Sequence, residues 1–227
     1  TASASVAEGA TTVATYAATD ADGSSAHNTV TYSKSGGVDT ALFAVDSSTG
    51  ALTFSTAPDY DSGSACDAGN SCVVILTATS GSLTDTITVT VAITDINDNT
   101  PIFTDGDTAS ASVAEGATTV ATYAATDADG SSAHNTVTYS KSGGVDTALF
   151  AVDSSTGALT FSTAPDYDSG SACDAGNSCV VILTATSGSL TDTITVTVAI
   201  TDINDNTPIF TDGDTASASV AEGATTV

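Results

Sequence analysis

The chain has 227 residues, 27 of them acidic against 2 basic, and a formal net charge of −25 at pH 7. Lys34 and Lys141 are its only Lys or Arg residues, so nothing is available to neutralise phosphates, which excludes nucleic acid as a partner. No apolar run is long enough to span a bilayer, no signal peptide opens the chain, and an anionic membrane surface would repel it.

Ala2 to Ala7 alternates and predicts a first, edge strand that ends at Glu8-Gly9. Thr11 to Ala18, rich in Thr, Val and Tyr, predicts a second strand. Asp20-Ala21-Asp22-Gly23 and the Ser/Ala/His/Asn stretch after it form a loop. Thr29 to Ser33 is a strand closed by Gly36-Gly37. Leu42 to Val45 and Ala51 to Ser55 flank the turn Asp46-Ser47-Ser48-Thr49-Gly50 and predict a hairpin. Pro58-Asp59-Tyr60-Asp61 and a cysteine loop follow, then a buried strand over Val73 to Thr79, a turn at Gly81-Ser82, and a last strand over Asp85 to Thr94. About seven short strands without helical periodicity predict an all-β fold, a Greek-key β-sandwich of immunoglobulin type. Its core candidates are Val, Ile, Leu and Ala, with Phe43, Phe54 and Tyr32 as the large residues.

Thr1 to Asn99 recurs from Thr108 to Asn206 without a difference, a period of 107 residues, and a third copy starts at Thr215. That period is near the usual size of one independent domain. The expected organisation is a repeat over 1–100 lacking its first residues, a second over 101–207, and the N-terminal stub of a third over 208–227.

The stretch Asp95-Ile96-Asn97-Asp98-Asn99-Thr100-Pro101-Ile102-Phe103 joins the copies and recurs from Asp202 to Phe210. It follows a strand, presents carboxylates and amides, and ends in Pro101, which pins Thr100 to an extended conformation. Hard oxygen ligands at a stiff exit predict a hinge between domains held by a hard cation. The acids are 24 Asp and 3 Glu, and Asp suits turns and hard-metal ligation rather than strand interiors. About half of them read as a soluble, salt-tolerant surface, and the other half sit at spacings that reading does not explain. Cys66…Cys72 and Cys173…Cys179 are both C-x5-C; four Cys allow three pairings, and the identical copies favour one local disulfide per repeat, in an oxidising, extracellular setting.

At these residues the chain resembles the cadherin repeats. Glu8-Gly9 resembles the family's glutamate after the first strand, and Asp20-Ala21-Asp22 its DxD. Phe43-Ala44-Val45-Asp46 with Thr49-Gly50 is similar to its F-x-I-D-x-x-T-G turn, and Asp59-Tyr60-Asp61 to its D-R-E. Asp95 to Phe103 is similar to its D-x-N-D-N-x-P-x-F junction. The resemblance implies Ca2+ between the repeats, two or three ions per junction. Its ligands would be Glu8, Asp59, Asp61, Asn97, Asp98 and the carbonyls of Ile96 and Asn99 from the first repeat. From the second would come Asp127, Asp129 and a carbonyl near His134 or Asn135. The second junction would use Glu115, Asp166, Asp168, Asn204, Asp205 and Asn206 without a following DxD in these residues. The residues themselves agree: six carboxylates at one junction repel, by up to about 4 kcal/mol per close pair at an effective dielectric near 20, and +4 to +6 cancels most or all of −6.

Two departures from the family pattern stand out. Asp61 and Asp168 replace its Glu, and Ala78-Thr79-Ser80 and Ala185-Thr186-Ser187 lack the Asp of its A-x-D, which leaves the third ion in doubt. An EF-hand at Asp20 fails because Thr31 stands where the closing Glu belongs, and His27 in a polar loop with no nucleophile reads as solvent-exposed, so no catalysis is expected.

The identical copies and the scarcity of basic residues resemble the extender regions of large bacterial surface adhesins of the repeats-in-toxin type. The expected role is a calcium-rigidified spacer, monomeric and extracellular, whose partners are the neighbouring identical repeats. A homophilic adhesive module would show an exposed apolar or aromatic patch. An accessory module of a secreted enzyme would show exposed aromatics such as Tyr16 and Tyr60.

Overall fold

The structure, a computed structural model, describes every residue except 25, 26, 64, 170–172, 212, 214, 216, 226 and 227. Residues 25 and 26 of the loop expected after Gly23 therefore lie outside the described residues, as do five positions of the expected stub.

Period-2 apolar patterning yields seven strands in the first repeat: β1 (Ala2–Ala7), β2 (Thr12–Thr15), β3 (Thr31–Gly36), β4 (Phe43–Val45), β5 (Ala51–Phe54), β6 (Ser71–Ser80) and β7 (Leu83–Thr94). They form a four-stranded sheet in the order β1-β7-β6-β3 and a three-stranded sheet in the order β2-β5-β4. Strand β1 runs parallel to β7, from Ala2 opposite Val89 to Ala7 opposite Thr94, so the repeat's first strand is held by its last. The expected second strand is shorter than Thr11 to Ala18, since its pairing to β5 carries an irregularity between Thr12 and Ala14 and ends at Thr15. Val6, Val74, Leu76, Val89 and Val91 of one sheet meet Phe43, Leu52 and Phe54 of the other in one buried cluster. The rings of Phe43 and Phe54 lie 4.5 Å apart.

The second repeat repeats this with β9 (Thr108–Ala114), β10 (Thr119–Thr122), β12 (Thr138–Gly143), β13 (Phe150–Val152), β14 (Ala158–Phe161), β15 (Ser178–Ser187) and β16 (Leu190–Thr201). It adds two short strands, β8 (Ile102–Phe103) and β11 (Ala125–Thr126), which pair antiparallel. The junction segment thus enters the second sandwich as a strand, and Phe103 joins its core. Over 208–227 no strand is found among the described residues. A β1-like segment needs a β7-like strand of its own repeat beside it, and none follows Thr215 in these residues.

The cysteines are paired locally, Cys66 with Cys72 and Cys173 with Cys179. Buried Asp39 ties this loop to the sheet: its carboxylate accepts the N–H of Asp67 at 2.8 Å and of Val73 at 2.7 Å. Lys34 and Lys141 each donate to backbone carbonyls of their own repeat, those of Thr40 and Phe43 and of Thr147 and Phe150.

Candidate metal centre

The acids of the first junction are gathered by three loops and one carboxylate. Glu8, just past β1, is buried; its two oxygens accept the N–H of Tyr60 at 2.7 Å and of Ile96 at 2.8 Å. One side chain so fastens the Asp59-Tyr60-Asp61 loop to the Asp95–Asn99 segment. The backbone of Asp59 to Ser62 turns back on Asp59 Oδ1, which accepts from Asp61 and Ser62. Asp127 does the same for Asp129, at 2.9 Å.

Contacts then cross between the sandwiches. The Asn99 N–H donates to Asp129 Oδ1 at 3.0 Å, and the Asn99 amide donates to Asp61 Oδ2 at 2.7 Å, Asp129 Oδ1 at 2.9 Å and Asp98 Oδ1 at 3.3 Å. The Gly130 N–H donates to Asp61 Oδ1. Asn97 presses against the turn between β15 and β16, where any side chain at Gly188 would meet its amide nitrogen at 2.3 Å. Asp95 Oδ2 accepts the Ser131 N–H at 2.9 Å and lies 3.1 Å from His134 Nδ1.

Asp95 stands in the junction motif but is not among the expected ligands, and it meets His134, the second-repeat counterpart of His27. The His134 side chain is 32% exposed and Asp95 only 5%, because the second sandwich meets the first here, whereas His27 stays exposed. Burial pushes the Asp95 carboxyl up, but Ser131 and His134 outweigh it and hold it below the usual carboxylate range. The Asp61 carboxyl goes the other way: desolvation raises it, against the Gly130 N–H, and the charges of Glu8, Asp95 and Asp129 add to the rise.

These atoms suit a hard cation. Glu8, Asp59 and Asp61, and again Asp61, Asp98 and Asp129, present oxygens that lie within 4.8 Å of one another. Three carboxylates converge on one Asn99 amide, which has two hydrogens to offer and no net charge. Buried Asp95 Oδ1, Asn97 Oδ1, Asp127 Oδ2 and Asp129 Oδ2 have no hydrogen-bond partner among the described residues, a costly state that a cation would relieve. Of the other expected ligands, Asp98 and Asn135 are exposed, Ile96 is 38% exposed, and the Asn135 N–H is bonded to the Ser131 carbonyl at 2.9 Å. Ser187, in place of the family's Asp, is 1% exposed, and its hydroxyl donates to the His134 carbonyl.

At the second junction Glu115 accepts from Tyr167 and Ile203, and these backbone donors hold its carboxyl low. Glu115, Asp168 and Asp202 cluster, and the Asn206 amide donates to Asp168 and Asp205. Asp166 caps its own loop through the N–H of Asp168 and Ser169, and Asn204 is exposed.

The cadherin domain model matches residues 2–94 and 109–201. The chain is 38% identical over 149 residues to human protocadherin Fat 1, covering 63% of this chain, and 32% identical over 158 residues to human protocadherin Fat 4, covering 69%. It spans 3% of the length of either relative. Among solved structures, mouse cadherin-23 EC22-24 superposes with a TM-score of 0.73 at 24% identity, over 89% of this chain and 64% of that one. The human desmocollin-1 ectodomain gives 0.68 at 20%, over 90% and 41%. At these identities the superpositions speak for the fold alone. The chain belongs to the cadherin family, as a tandem array of cadherin domains.

Proposed function

We propose that this chain is a calcium-stiffened spacer, in which ions between consecutive cadherin domains lock them into a rod that projects a distal part of a longer extracellular protein. The observation that carries it is the meeting of Asp61 and Asp98 with Asp129, in a junction whose Asp95, Asn97, Asp127 and Asp129 each keep a buried oxygen without a donor among the described residues. Glu8, Asp59, Asp61, Asn97, Asp98 and the carbonyls of Ile96 and Asn99 would hold the ions with Asp127, Asp129 and the carbonyl of Asn135. The domain boundary falls at Thr100-Pro101. Calcium would supply positive charge and six to eight bonds to oxygen per ion. Two ions fit the acid set, since Ser187 has its hydroxyl engaged and no carboxylate for a third. Glu115, Asp166, Asp168, Asn204, Asp205 and Asn206 form half of such a site.

The acidic composition favours the extender region of a bacterial surface adhesin as the setting. A second reading, a homophilic adhesive module, draws on the naming of the relatives as protocadherins. The reading as an accessory module of a secreted enzyme loses support because Tyr16 and Tyr60 pack against the first core. Small-angle X-ray scattering of a dilute solution tests the spacer. In millimolar calcium the expected result is one extended shape, which broadens in excess chelator. Scattering that calcium leaves unchanged overturns the reading.

A further inference from the structure

The loop that carries Asp59 and Asp61 is held from behind. Tyr60, between those two acids, is fixed on three sides. Its N–H donates to Glu8 Oε2 at 2.7 Å. Its ring faces the second sandwich, where a Cβ at Gly130 would meet Tyr60 Cε1 at 2.9 Å and Asp61 Oδ1 at 3.1 Å. Its carbonyl accepts from the Asn70 side-chain amide at 3.1 Å. Asn70 stands in none of the acidic motifs; it belongs to the loop closed by Cys66 and Cys72.

That loop gives Asn70 a firm seat. Asp39 holds it at Asp67 and at Val73, and Cys66 and Gly69 exchange N–H···O bonds at 2.8 and 3.0 Å. The Asn70 carbonyl accepts the Ile93 N–H at 2.8 Å, two residues before Asp95. One residue therefore ties the Asp59–Asp61 loop to the strand that leads into Asp95–Asn99. Asn70 Oδ1 is buried without a hydrogen-bond partner among the described residues. An unpaired buried acceptor costs stability, so what asparagine supplies here is its donor to Tyr60. The second repeat is built alike: Asn177 donates to the Tyr167 carbonyl at 3.2 Å, accepts the Ile200 N–H at 2.8 Å and keeps a buried Oδ1 without a partner among the described residues.

We infer that Asn70 is a positioning residue of the metal centre, with Asn177 in the same role at the second junction. By holding the Tyr60 carbonyl it fixes where Asp59 and Asp61 stand relative to Glu8 and to the second sandwich. Asp61 is the acid that reaches across, accepting from the Asn99 amide and the Gly130 N–H. Partners that orient metal ligands without touching the metal govern affinity, because a displaced ligand must be brought back when the ion binds. The inference rests on the reading of this junction as a calcium site, and adds to it a residue that is neither acidic nor a ligand.

An NMR calcium titration followed at the Gly130 amide, whose N–H sits on Asp61, reads the first junction by itself. Asn70→Ala should weaken calcium there by about 3- to 10-fold, the worth of one hydrogen bond. Asn70→Leu fills the same space without the unpaired oxygen, which guards the fold, and should weaken calcium alike. Asn177→Ala makes the same cut in the second repeat. It should lower the melting temperature of its own sandwich as Asn70→Ala does, and leave the Gly130 midpoint in place. A midpoint equal in the wild type and both Asn70 variants, or moved as far by Asn177→Ala, overturns the inference and leaves the calcium reading standing. A wild-type Gly130 signal that calcium does not move overturns both.

Discussion

Asp22 and Asp129, and Phe103 and Phe210, are pairs of identical residues in identical local sequence, and the structure treats the members of each pair differently. Asp129 is 2% exposed and bonded to Asn99, whereas Asp22 is exposed. Phe103 is 2% exposed and Phe210 86%. Asn97 presses on the turn at Gly188, while at Gly81 a Cβ would meet nothing within 4 Å. The comparison is an internal control. Whatever differs between the two junctions comes from the adjoining sandwich and from nothing in the motif itself.

The largest way to break the comparison is at the phenylalanine. Phe103→Ala opens a cavity in the second core and should cost that sandwich about 3–5 kcal/mol. Phe210→Ala in dilute solution should cost within about 0.5 kcal/mol. Thermal unfolding followed by calorimetry separates them, and equal effects would mean that β8 adds nothing to the second domain.

A smaller effect is expected at the acids. Asp129→Asn removes a charge shared between the two sandwiches and should weaken calcium binding by at least about tenfold. Asp22→Asn should leave the isotherm of a dilute sample unchanged. Titration calorimetry reads both, and an equal loss at Asp22 would move the binding centre away from the first junction.

The smallest effect sharpens the comparison by its sameness. Asp46 and Asp153 sit in the hairpin turn of each repeat and belong to neither junction's acidic cluster. Backbone donors lower both carboxyls, chiefly Thr49 for Asp46 and Ser155 for Asp153, with Ser48 and Thr156 adding to it. A carboxyl lowered in the folded state contributes stability above its unfolded value near 4, lost as the pH falls through the folded value. NMR titration should place both midpoints below the ordinary Asp range and close to each other. Midpoints that differ would show that the junction's field reaches the turns.

The sequence by itself determined the elements whose causes are local. Period-2 runs placed all seven strands, the C-x5-C spacing and identical copies placed each disulfide within its repeat, and the ordered acidic motifs pointed to a hard cation between domains. Boundaries slipped where pairing decides them, as at β2, which stops at Thr15 because its ladder to β5 stops there. Tertiary structure alone decided the rest. It made Asp39 a buried anchor for the cysteine loop and drew Asp95 and His134 together from 39 residues apart. It gave one Phe of two identical segments a core to enter. The physical reason is that a carboxylate's partners and an aromatic ring's burial are set by what another part of the chain brings within a few ångströms.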